Sequence, residues 1–246
     1  EDVNDFDQNL HLFDTEIYVN LDNGYTYMKQ DTNNNIFVVG AYSSPLDSSI
    51  GGISLNNAGI LRSMFIVKYD SLDNIDFVIS EDVISLGFGF DISGIDVDNN
   101  NNIFVVGHLE SISPKRMFIR KYNGSTGQLI SSATNANINS NTGSSRALNV
   151  VADNNGGAYV VGYYAGTIDF GGNTSMLPSN TYLSSVSQGF IVHFDNSLTA
   201  TWSDFSTNYT TPTTNCDGNA MQSVILHQNN DIYVSGITNV YSNDYK

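Results

Sequence analysis

One short pattern constrains this chain more than any other: a polar turn, a run of strand-forming residues and a glycine, written four times. The copies are Asn33-Asn34-Asn35-Ile36-Phe37-Val38-Val39-Gly40, Asn99-Asn100-Asn101-Asn102-Ile103-Phe104-Val105-Val106-Gly107, Asn154-Asn155-Gly156-Gly157-Ala158-Tyr159-Val160-Val161-Gly162 and Asn229-Asn230-Asp231-Ile232-Tyr233-Val234-Ser235-Gly236. Asn and Gly tolerate the backbone angles of tight turns, and β-branched and aromatic side chains fit a pleated, buried surface. A repeat at this spacing points to architecture before any catalytic motif does.

Three further strand-like runs recur around these copies, two of them after only the first three. One precedes the turn, as in Gly94-Ile95-Asp96-Val97-Asp98, Leu148-Asn149-Val150-Val151-Ala152 and Gln222-Ser223-Val224-Ile225-Leu226. A second follows at Met64 to Asp70, Met117 to Asn123 and Gly189 to Asp195, and a weaker third at Phe77 to Ser80, Gln128 to Ser131 and Thr199 to Trp202. The unit is therefore four strands, A-B-C-D. Four antiparallel strands per unit make the blade of a β-propeller, in which radial repetition disposes of sheet edges.

The third unit carries a family likeness. Its run from Ala158 to Gly172 contains Tyr159-Val160-Val161-Gly162 and Gly166-Thr167-Ile168-Asp169-Phe170, and is followed by Phe190-Ile191-Val192-His193-Phe194-Asp195 and Trp202. This resembles the SBBP-type propeller repeats of secreted bacterial surface proteins. The resemblance implies an all-β propeller and secretion, and it brings no shared catalytic set.

The spacing divides the chain into a C/D half-blade (1–24), three blades (25–91, 92–147 and 148–221) and an A/B half-blade (222–246). Leu10-His11-Leu12-Phe13-Asp14 aligns with strand C, and Ile17-Tyr18-Val19-Asn20 with strand D. Open half-blades are templates for pairing. Three arrangements would cover them: the halves meet and close a four-bladed ring, the chain is a sector of a larger propeller, or one half pairs with the next subunit by β-augmentation. A first residue Glu1 fits either a removed signal peptide or a piece of a longer chain.

The balance of 25 acidic against 9 basic residues, net −16, repels phosphate backbones and anionic membranes, which argues against nucleic-acid partners. No stretch approaches the roughly 18 consecutive apolar residues of a membrane span. The single cysteine, Cys216, permits no intrachain disulfide, so blade packing has to hold the fold. Scattered acids among Asn, Ser and Thr suit a secreted or cell-surface protein.

Because strands alternate direction, the A–B and C–D turns share one end of the blades, and the B–C and D–A connections share the other. The long segments (Tyr42 to Arg62, Ser132 to Arg146, Tyr163 to Gln188, Ser206 to Met221) all lie at the second end. Loops on a rigid scaffold are where binding concentrates. Tyr42, Tyr163, Tyr164, Phe170, Tyr182 and Tyr209 are accordingly the candidate partner-binding aromatics, for sugar stacking or protein anchoring, with a local loop core as the competing reading, strongest at Phe170.

Chemical motifs are sparse. Asp96-Val97-Asp98-Asn99-Asn100 opens like a calcium loop, but Asn101 and Gly107 stand where that loop needs Gly and Glu. His11, His108, His193 and His227 have no metal spacing; His11 and His193 align with Lys68 and Lys121, which reads as the exposed side of strand C. There is no G-x-S-x-G elbow and no phosphate loop. Asn123, Asn173 and Asn208 head N-x-[ST] sequons in turns or loops, candidate glycosylation sites. The expectation is a non-enzymatic structural or adhesive propeller module with no cofactor and no metal, presenting a loop-rich face to a protein or glycan and self-assembling through open half-blades. The rivals are a propeller lectin and an enzyme with a central-channel site.

Overall fold

The computed structural model describes residues 10–12, 15–18, 26–42, 49–55, 61–81, 87–110, 112–134, 144–175, 177, 187–206, 218–228 and 230–239. Among these there is no helix. In chain order the strands are β1 (Leu10–Leu12), β2 (Thr15–Tyr18), β3 (Thr26–Gln30), β4 (Ile36–Tyr42), β5 (Ser49–Ile50), β6 (Ile53–Ser54), β7 (Ser63–Tyr69), β8 (Ile75–Glu81) and β9 (Gly89–Val97). They continue as β10 (Asn102–Glu110), β11 (Arg116–Asn123), β12 (Leu129–Thr134), β13 (Ser144–Ala152), β14 (Ala158–Ala165), β15 (Gln188–Phe194), β16 (Ala200–Phe205), β17 (Gly218–Leu226) and β18 (Ile232–Asn239).

The repeat is visible in the pairing. Sheets β3-β4-β7-β8, β9-β10-β11-β12 and β13-β14-β15-β16 each run A-B-C-D in order, all antiparallel, and β17-β18 is an A-B pair. The outer limits move slightly from the expected ones, since β9 begins at Gly89 and β13 at Ser144, ahead of the 92 and 148 read from the repeat.

The N-terminal pair departs from the half-blade reading. Hairpin β1-β2 hydrogen-bonds to β5, and β5 to β6, so the sheet is β1-β2-β5-β6, and the two halves do not meet in one blade among the described residues. Its second half comes from the β4–β7 connection, where Gly51 (φ 55°) and Gly52 (φ 79°) make a turn with both central residues left-handed. That is the geometry two-residue hairpins favour.

Successive sheets stack face to face, so both faces of β4, β10 and β14 are largely buried. In β4, Phe37, Val39 and Ala41 pack toward the next sheet against Ile103, Val105 and Leu109 of β10. Phe104 and Val106, on the other face of β10, pack with Ala158, Val160 and Tyr164 of β14. Val161 of β14 meets Val224 of β17. At about 1.5–3 kcal/mol for each large apolar side chain removed from water, these interfaces are the main source of cohesion.

The turns share one device. Asp31, Asp70, Asp98, Asp153 and Asp195 each accept, through Oδ1, the N–H groups of the residues two and four positions on, at 2.7–2.9 Å. The residue three positions on is left-handed each time: Asn34, Asp73, Asn101, Gly156 and Leu198. Leucine resists that conformation by about 1–2 kcal/mol. Burial of Leu198 in the core between two sheets, worth about 1.5–3 kcal/mol, outweighs it.

Asp98 is the most buried of these five turn aspartates, and its Oδ2 also accepts from Asn102 Nδ2 at 2.7 Å. Asp98→Ala is expected to cost about 1–2 kcal/mol, read from the denaturant midpoint. The same carboxylate, occupied by turn donors, explains the calcium-like spacing without an ion. Asp70 and Asp195 are held below the ordinary aspartate pKa of 3.8, Asp70 mainly by the Asn74 side chain and Asp195 mainly by the Thr199 N–H. Folded pKa values lie below unfolded ones, so this stability is present above pH 3.8 and is lost as pH falls through the lowered values. Carboxyl titration by NMR should place both midpoints below that of an unfolded aspartate.

Candidate functional site

The end that carries the B–C and D–A connections also gathers charge. Asp91 near the start of β9, His108 and Glu110 at the end of β10, Lys115 and Arg116 leading into β11, Arg146 of β13 and Arg62 before β7 all lie there. In a chain with only 9 basic residues this is a marked concentration of cations.

The cluster is built by a register shift. Between Val106 and Gly107 the β9–β10 ladder slips by one, after which Asp91 pairs with His108. His108 Nε2 lies 3.6 Å from Asp91 Oδ2 and 3.5 Å from Lys115 Nζ, and Glu110 Oε1 lies 3.7 Å from Arg62 Nη1. Donor atoms of Asp91, His108 and Glu110 fall within 4.8 Å of one another, a set that could ligate a cation. Arg62, Lys115 and Arg146 already supply positive charge there, which balances the two carboxylates.

His108 is buried, and burial first, then the charges of Arg146, Lys115 and Arg62, push its pKa down to about 3. The unfolded chain therefore binds a proton that the folded chain does not between about pH 3 and 6.5, so stability rises with pH across that window and the contribution is complete above it. His108→Gln is expected to flatten this part of the profile. Urea midpoints of both proteins on either side of pH 6.5 check it.

The candidate aromatics divide. Tyr42 ends β4 and Tyr163 and Tyr164 lie inside β14, so all three are strand residues rather than loop residues. Tyr42 and Tyr164 are fully buried, and Phe170 packs on Phe190 at 5.0 Å and edge-on to Phe194 at 6.5 Å. An Ile168–Leu177 bridge folds that connection onto the core, so the local-core reading holds at Phe170. None of these three can stack on a ligand. Tyr163 is half-buried, with the Arg146 guanidinium 6.0 Å over its ring. Tyr182, Tyr209 and Asn208 lie outside the described residues, as does Cys216.

The position shared by Lys68, Lys121 and His193 is not an exposed strand face. Lys68 is buried and paired with Asp76 at 2.6 Å, and His193 is held between Asp153 Oδ2 at 2.8 Å and Thr201 Oγ1 at 2.6 Å. Lys121 crosses to the next sheet. Asp96 likewise joins three sheets, taking Lys29 of β3 at 2.7 Å and the N–H of Ala152 in β13 at 2.8 Å, so it has structural partners in place of a metal. Of the sequons, Asn123 spends its Oδ1 on the N–H groups of Ser125 and Thr126, whereas Asn173 is exposed in a turn.

The geometry offers a charged patch, a half-buried tyrosine beside an arginine, and at His193 an imidazole held between a carboxylate and a hydroxyl. Compared with known proteins, the chain matches no protein-family profile and no curated protein.

Proposed function

We propose that this protein is a non-enzymatic, extracellular structural or adhesive module of β-propeller type that assembles with further copies of itself through its last sheet. The observation that carries the reading is the outward face of β17-β18. Ile225, Tyr233 and Ile237 are 58%, 55% and 45% exposed there. By the repeat, Tyr233 stands where Phe37 and Phe104 stand, and both of those are covered by a following sheet. Among the described residues, no C strand pairs with the outer edge of β18 as one does with β4, β10 and β14.

An apolar face beside an unpaired edge is costly to leave in water. A sheet of the same repeat, supplied by a second copy, would satisfy both the ladder and the face, continuing the stacking already made three times within the chain. The secreted setting rests on the SBBP-type resemblance of the third repeat and on the scattered acidic surface.

Light scattering across a concentration series, with electron images of the same sample, tests this. The particle mass is expected to rise with concentration, and Ile225→Lys with Tyr233→Lys is expected to hold it at one chain. One-chain mass at every dilution for the unaltered protein would overturn the assembly reading.

A further inference from the structure

We infer that a cavity at the connection-bearing end of the β9-β12 sheet binds a small organic anion, a carboxylate with an apolar body whose charge is taken by Arg116. The cavity holds about 400 Å³. That is within the range of small-molecule sites, roughly 300–1,000 Å³.

Its walls follow from the ladder. Leu109 of β10 pairs with Arg116 of β11, and Thr134 of β12 pairs with Phe118, two residues further along the same face. Side chains two apart share a face, so Leu109, Arg116 and Thr134 converge. Phe88 closes the side next to β9, where its ring meets Phe90 edge-on at 5.8 Å, and Ile112, Ser113 and Pro114 of the β10–β11 connection complete the lining. The result is an apolar chamber with two hydroxyls and one guanidinium.

Arg116 Nε is buried and has no hydrogen-bond partner. A buried donor on a charged group is expensive to leave unmade, and a guanidinium presents its N–H groups in the fork that fits a carboxylate. The neighbouring acids are otherwise engaged: Asp91 lies against His108, and Glu110 against Arg62. The acceptor that fits is therefore one brought by a ligand, and the Phe88, Leu109, Ile112 and Pro114 surface selects an apolar body behind it. The chain's net charge of −16 repels anions at long range, so saturable anion binding requires a local site of this kind.

The probe is 3-phenylpropionate, followed by calorimetry and by chemical-shift changes on the intact chain, with the uncharged 3-phenylpropan-1-ol as its partner. One saturable site is expected for the carboxylate, with binding about ten- to a hundredfold weaker for the alcohol and for the carboxylate on Arg116→Met, which keeps the side-chain bulk. The alcohol comparison needs no substitution, so it stands even where the variant folds poorly. Absence of saturation in the millimolar range, or equal affinity for carboxylate and alcohol, overturns the site. Neither result bears on self-assembly, which uses the β17-β18 sheet and none of the residues that line this cavity.

Discussion

Gly107→Ala is expected to destabilise the protein by about 3 kcal/mol or more, against about 1 kcal/mol for Gly52→Ala. The two glycines isolate two different reasons for the residue. Gly52 has φ +79° and open space around the site of a Cβ, so alanine there meets only backbone strain. Gly107 has an ordinary φ, but its Cβ would lie 2.0 Å from the carbonyl oxygen of Asp91. A backbone oxygen cannot rotate aside.

The contact recurs in the repeat, with Gly162 facing Arg146 O at 2.0 Å and Gly236 facing Ala220 O at 2.2 Å. In all three sheets the A–B ladder slips at this point, and the bulge on strand A presses its carbonyl against strand B. Urea denaturation with an unchanged slope measures both variants. Equal losses would mean that conformational freedom, and not close approach, is why the repeat ends in glycine.

That glycine shows how far the sequence could be read. Its recurrence marks the end of the pattern and gives the four-strand unit, because turn chemistry and period-two strands are local properties. The bulge is not local, since it depends on two strands and one extra residue, and so the meeting of Asp91 with His108 was hidden. Alternation misplaced Lys68, Lys121 and His193 for a related reason: a sheet stacked on both sides has no exposed face there. A pattern that stops at glycine puts Tyr42, Tyr163 and Tyr164 in loops, whereas the strands run on past it. The β5-β6 hairpin did have a signal, Ile50-Gly51-Gly52-Ile53, a Gly-Gly pair between apolar residues. The Asp at the head of three of the four Asn-rich turns was a second one, visible as Asp31, Asp98 and Asp153 at equivalent places. The Arg116 cavity had none, because its lining comes from three strands and two connections.

Lys121→Ala is expected to cost about 3 kcal/mol, more than Lys68→Ala at about 1 kcal/mol, although the two lysines occupy the same place in the repeat. Lys121 is buried, and its Nζ donates to Gly156 O at 2.7 Å, Asn196 Oδ1 at 2.6 Å and Asn196 O at 3.2 Å. These acceptors belong to the A–B and C–D turns of the next sheet, so one ammonium, with three protons to give, ties two turns of one sheet to a strand of another. Burial pulls its pKa below the usual lysine value, while Asp98, Asp153 and Asp195 push it back. Removing it strands three turn acceptors and strips the stem and charge that lie 5.4 Å over Phe104. Lys68, by contrast, pairs with Asp76 of its own sheet, and that carboxylate is half in water. Lys121→Met, which keeps the stem, should recover part of the loss and leave the polar share. Losses of equal size for Lys121→Ala and Lys68→Ala would mean that apolar stacking alone holds neighbouring sheets together, and that the crossing ammonium adds nothing to it.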